Sequence, residues 1–210
     1  MVLSANTFGS RRLSARFLVP IALAILFSGC HRNFTLDTTP LDNAGMDFDS
    51  VQAIKSLNVT SAEVAEIAKT RRAGLSDAGC VSITRIFHER NQPFNQGDAI
   101  AGFVQVGMNE RMILELATLN QLGLGAGELQ AMHLAGLSDE VILEVAKRHA
   151  DNKPVFSGAA LAGMKNAGLH EATLLELARR GLPDSQADAI VALRRRGLND
   201  AEILKHFTGS

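Results

Sequence analysis

The side chains that could do chemistry are few and poorly placed for it. Six histidines are present, His31, His88, His133, His149, His170 and His206. None lies four residues from another, so no helix carries the His-x-x-x-His pair of a zinc site. His88 and His149 occupy matching places in a repeat described below, which suits surface or loop-capping roles better than metal binding. Cys80 stands where sister segments carry isoleucine, so it reads as a buried packing residue rather than a nucleophile. Ser76 and Ser138 lie outside any Gly-x-Ser-x-Gly elbow. Gly123 to Gly127 follows a helical pattern instead of a strand and has the wrong glycine spacing for a phosphate loop. Gly158 to Lys165 fails as well, because Met164 separates Gly163 from the lysine and no Ser or Thr follows. No pair of carboxylates stands apart from the solvated helix faces. The residue types therefore point away from an enzyme, and no cofactor or metal is expected.

One polar cluster remains. Arg179, Arg180, Arg194, Arg195 and Arg196, with Lys205, make the last third locally basic. They are the candidate partner-contact residues, suited to a phosphate or an acidic protein. Cations in last turns also complement the helix dipole, which is a purely structural use. The segment Gly123-Leu124-Gly125-Ala126-Gly127-Glu128-Leu129 resembles the hairpin of helix-hairpin-helix DNA binders, and that resemblance implies an envelope nucleic-acid binder as the alternative function. Charge argues against it. The chain has 21 basic and 22 acidic side chains. Arg11, Arg12 and Arg16 lie in the leader, which leaves 18 against 22, whereas nucleic-acid binders show a basic excess.

The elements that would position these groups are short helices. Gly136-Leu137-Ser138-Asp139-Glu140 reads as the end of one helix and the start of the next. Glycine takes the left-handed position past a helix, Ser138 is an N-cap, and Asp139 and Glu140 face the positive end of the dipole. Leu137 and Ile142 have the spacing of a hydrophobic staple. The register recurs at Val59-Thr60 with Val64, Leu75-Ser76 with Cys80, Met108-Asn109 with Ile113, and Leu124-Gly125 with Leu129. It recurs again at Phe156-Ser157 with Leu161, Leu169-His170 with Leu174, and Leu198-Asn199 with Ile203. Thr60 with Glu63 and Asn199 with Glu202 complete capping boxes.

A longer repeat overlies these joints. The block from Ser76 matches the block from Ser138: His88 to Pro93 with His149 to Pro154, Ala101-Gly102 with Ala162-Gly163, and Leu114 to Ala117 with Leu175 to Ala178. The spacing predicts an all-α fold of tandem short helices, with a repeat of about 61 residues holding four helices. Such helices are too short to stand alone in water. They must stack into a compact helical array or a short α-solenoid. The period differs from those of tetratricopeptide, ankyrin and leucine-rich repeats. Short Gly-Leu-Ser-Asp units of this kind resemble those of uncharacterised bacterial exported proteins, a resemblance that brings no activity with it.

The N-terminus is of another kind. Residues 1–16 are basic and polar, Phe17 to Phe27 is an apolar run, and Ser28-Gly29-Cys30 follows. This is the three-part pattern of a secretion signal, with an apolar run shorter than the roughly 20 residues of a spanning helix. Leu26-Phe27-Ser28-Gly29-Cys30 resembles the lipobox of bacterial lipoproteins. The resemblance implies cleavage before Cys30 and acylation of Cys30 by palmitate-like chains, which anchor the protein in the bilayer. His31 after the cysteine implies an outer-membrane destination, facing the periplasm, if the host is Gram-negative. The division expected is a signal peptide over 1–29, a flexible tether over 30–49 and a helical repeat domain over 50–210. The function expected is that of a membrane-anchored envelope lipoprotein that binds or scaffolds another envelope protein.

Overall fold

A computed structural model describes residues 36–123 and 125–207. The leader and Cys30, on which the signal-peptide and lipidation expectations fall, lie outside the described residues, as does Leu124. The described residues form twelve α-helices and no strand: α1 Thr39–Asn43, α2 Phe48–Ser56, α3 Ser61–Ala73, α4 Asp77–Glu89, α5 Gly97–Gln105, α6 Glu110–Thr118, α7 Ala126–Leu134, α8 Asp139–Ala150, α9 Gly158–Asn166, α10 Glu171–Arg180, α11 Ala187–Arg195 and α12 Asp200–His206. A 3-10 turn, Asp184–Gln186, precedes α11.

Side-chain caps set most of the starts of the even helices. Asp47, Ser76, Asn109 and Ser138 each accept a hydrogen bond from the backbone N–H three residues on. Thr60 and Asn199 form complete capping boxes with Glu63 and Glu202. His170 holds the N-cap position of α10, but its ring does not cap that helix. At the other ends, Gly45, Gly74, Gly107, Gly136, Gly168 and Gly197 have positive φ and close the odd helices. The staple partners are buried on both sides of the caps, including Leu137 with Ile142 and Met108 with Ile113.

Odd helices stack on odd helices and even on even, each helix also touching its neighbour along the chain. Helices within a row are parallel, since N-caps meet first turns and C-termini meet C-termini between α4 and α6. The result is a two-row α-solenoid. One continuous core of Ile, Leu, Val, Met and Phe runs between the rows, from Leu41 to Ile203. Packing repeats at every helix pair, a smaller unit than the four-helix block read from the sequence. α4 and α8 have 13 and 12 residues, whereas α6 and α10 have 9 and 10.

The folded region begins earlier than the expected tether of 30–49 allows. α1 starts at Thr39, with Pro40 in its first turn, and Leu41 and Met46 are buried. Gly45-Met46-Asp47 with Val51 is another joint in the common register. Its few apolar residues suffice because α3 supplies the rest of the packing surface.

Candidate binding surface

The first site to build is the stitched edge where the even helices begin. The first-turn acid of each even helix reaches back to the N-cap residue of the even helix before it. Asp77 accepts the N–H of Asp47 at 2.9 Å, and Glu110 accepts the N–H of Ser76 at 2.8 Å. Asp139 accepts the side-chain amide of Asn109 at 2.7 Å. Glu171 accepts the N–H of Ser138 at 3.2 Å, and Asp200 accepts the N–H of His170 at 3.0 Å. Gly79 permits the Glu110 contact, because a Cβ there would meet the carboxylate at 2.6–2.8 Å.

Cations from the odd helices complete these stitches. Arg71 bonds Asp77 and the Gly45 carbonyl. Lys165 bonds Glu171 and the Gly136 carbonyl. Arg194 donates to the Gly168 carbonyl at 2.7 Å, and its Nη1 lies 3.2 Å from Asp200 Oδ1. His133 holds the same place before Gly136, with buried Nδ1 unbonded and 4.0 Å from Asp139. For Glu171 and Asp200, burial alone would raise the pKa. Donors from Lys165 and Ser138, and from Thr173 and His170, outweigh it and hold both below the ordinary carboxylate range.

The sequence-predicted arginines therefore separate. Arg194 belongs to a stitch. Arg180 is bonded to Glu176 at 3.0 Å and to the Leu204 carbonyl at 2.6 Å, closing the C-terminal end of α12. Arg179 is half exposed, with Glu144 at 3.9 Å. Arg195 and Arg196 are exposed and have no partner among the described residues. Three of the five thus face solvent. A basic residue three places before a joint glycine, as at Arg71, Lys165 and Arg194, was the available signal for the stitch.

A second cluster centres on Glu63, the one charged residue that is fully buried among the described residues. Its Oε2 accepts the N–H and hydroxyl of Thr60 at 2.8 and 2.9 Å. Its Oε1 accepts the Phe94 N–H at 2.9 Å and lies 2.6 Å from His88 Nε2. Burial pushes its pKa up, and these donors more than reverse that, so it titrates below the usual range. A carboxylate beside an imidazole can orient a general base. Here both groups pin α3 to the end of α4 and the following loop. Cys80 is buried, and burial pushes its thiol up to about 12, far from a thiolate at neutral pH. Among the described residues no three His, Cys, Asp or Glu side chains converge as a metal site would need.

The opposite edge, where even helices end, carries a trough of about 740 Å³ lined by Gln96, Asn120, Gln121, Glu128, His149 and Asn152. A smaller hollow of about 270 Å³ shares Gln96 and Asn120 with it and adds Gln92 and Asn95. Glu128 in this trough accepts the N–H of Gly158. Of the hairpin-like segment, Gly123 lies in the α6–α7 connection and Gly125 is the N-cap of α7, whose first turn begins at Ala126. Sequence reasoning did not single out these carboxamides. The signal was an asparagine just past each of α2, α4, α6 and α8.

No protein-family model matches the chain, and no curated protein matches it. Among the described residues no helix is long and apolar enough to cross a membrane.

Proposed function

We propose that the chain is an exported envelope lipoprotein, anchored through acylated Cys30, whose helical stack binds or scaffolds another envelope protein. The observation that carries this reading is where the unpaired polar groups lie. The stack engages its buried acids and several of its cations in its own helix ends, while unpartnered side chains line its long edges. Stacked helical pairs engage proteins through such extended surfaces. We read it as a binder rather than an enzyme because Glu63 with His88, the closest acid–imidazole pair among the described residues, is occupied in holding helices together. The anchor rests on Leu26 to Cys30.

A photo-crosslinking residue placed at Arg195 or Asn152 in cells tests the binding role. Enrichment of one envelope protein supports it, and nothing above background removes it. Radioactive palmitate should label the chain and spare Cys30→Ala; equal labelling of both removes the anchor. The nucleic-acid alternative ranks below, since Arg180 and Arg194 are engaged within the stack. Salt-sensitive DNA binding that weakens in Arg195→Ala with Arg196→Ala would reverse that order.

A further inference from the structure

Four residues other than glycine have positive φ: Asn58 at 57°, Asn91 at 55°, Asn120 at 58° and Asn152 at 53°. Each lies just past an even helix, α2, α4, α6 and α8. Glycine takes this conformation more easily than any other residue, and asparagine is tolerated there. The chain itself uses glycine after all six odd helices up to α11 and again at Gly181 after α10. The left-handed backbone alone accounts for asparagine at these ends, since it is the residue other than glycine that this conformation accepts most readily. What the backbone leaves unused are the carboxamides, which have no hydrogen-bond partner among the described residues. All four are exposed. Two of them, Asn120 and Asn152, line the 740 Å³ trough, and Asn120 also lines the adjoining hollow. Gln92, Gln96 and Gln121 add further amides.

We infer that this carboxamide-lined trough binds an extended, uncharged polypeptide segment by its backbone. This deepens the protein-binding reading and rests on it. A carboxamide offers one acceptor and two donors in a plane, which matches the C=O and N–H of a peptide group. Successive rungs sit on neighbouring helices of one row, and packed helices lie about 8–10 Å apart. A polyproline II segment rises about 3.1 Å per residue with three residues per turn, so one turn spans about one rung. Its peptide groups make no internal hydrogen bonds and stay free to pair. No Lys or Arg lines the trough, and its one carboxylate, Glu128, already accepts the N–H of Gly158 at Oε1, so an acidic guest is disfavoured and a neutral one needs no ion pair. That lack of cations disfavours nucleic acid. A sugar would want an open ring face, but Phe87 is 4% exposed and packed edge-on to Phe94 at 5.4 Å.

The test uses the mature chain carrying Cys30→Ala and a display library of random dodecapeptides. Enriched peptides are synthesised, and their Kd is measured on that chain and on the same chain with Asn120→Gly and Asn152→Gly. Glycine suits both backbone positions, so the variant keeps its fold, and matched thermal midpoints verify this. The expected result is enriched peptides poor in charge whose affinity falls at least tenfold in the double variant. Equal affinity places the peptide elsewhere and overturns the trough while leaving a protein-binding role intact. No enriched peptide overturns it too. So does binding of N-acetylglucosamine oligomers with the same asparagine dependence, which assigns the trough to a saccharide. Failure of the in-cell crosslinking, by contrast, removes the wider reading whatever the peptides do.

Discussion

Glu63 ties together three separate stretches of the chain. Four donors from Thr60, His88 and Phe94 converge on its two oxygens, and it is 3% exposed. Glu63→Gln keeps the shape but turns one acceptor oxygen into a donor facing N–H groups. The expected cost is about 2–3 kcal/mol, read from the urea midpoint. The pH dependence has a definite sign. The folded-state pKa lies below the ordinary glutamate value of 4.5, so the charged carboxylate stabilises the fold above that value. The contribution fades as pH falls below 4.5 and through the folded pKa. The wild type should therefore lose stability more steeply than Glu63→Gln over that window. Parallel acid-unfolding curves would refute the assignment. Glu63 was visible in the sequence as the N3 member of a capping box with Thr60. Its bonds to His88 and Phe94 were not, because they depend on how α3 lies against the end of α4.

Among the elements, the caps were the most legible part. Residue type and three-residue spacing identify Ser76, Asn109 and Ser138 without any knowledge of neighbours. The stitches between parallel helices were invisible, since Asp77 or Glu110 in a first turn looks like an ordinary dipole partner. Only the register of the stack brings Glu110 onto Ser76, 34 residues away. α1 was missed for a related reason. Its one buried residue, Leu41, gives no periodicity, and its stability comes from α3. The stitch makes a measurable claim. Glu110 accepts both the N–H and the hydroxyl of Ser76, each at 2.8 Å. Ser76→Ala alone should cost about 1 kcal/mol as a lost cap. Glu110→Ala should cost a similar amount although Glu110 lies on a different helix. A double-mutant cycle should give a coupling of about 0.5–1.5 kcal/mol. Additive costs would mean that the two helix ends are held independently.

Across the twelve described helices, none packs substantially beyond its next-but-one neighbour. Stability is then close to a sum of hairpin and interface contributions, and damage should stay local. Ile113 is fully buried in α6, whose partners are α4, α5 and α8. Ile113→Ala should cost about 2–5 kcal/mol through lost burial and the cavity left behind. In a globule with one closed core, that loss would lower protection against hydrogen exchange everywhere. In this stack it should fall mainly on α4 to α8 and fade toward α2 and α11, because each interface transmits only part of the disturbance. Exchange measured by helix distinguishes the two. A uniform drop would mean that the rows behave as one cooperative block. A graded drop would mean that a guest on the edge formed by α4, α6 and α8 could tighten that region alone. The peptide trough and the acid stitches lie at opposite ends of the same even helices. A guest bridging Asn120 and Asn152 should then raise protection most in α6 and α8, and the Asp200 stitch to His170 should respond least.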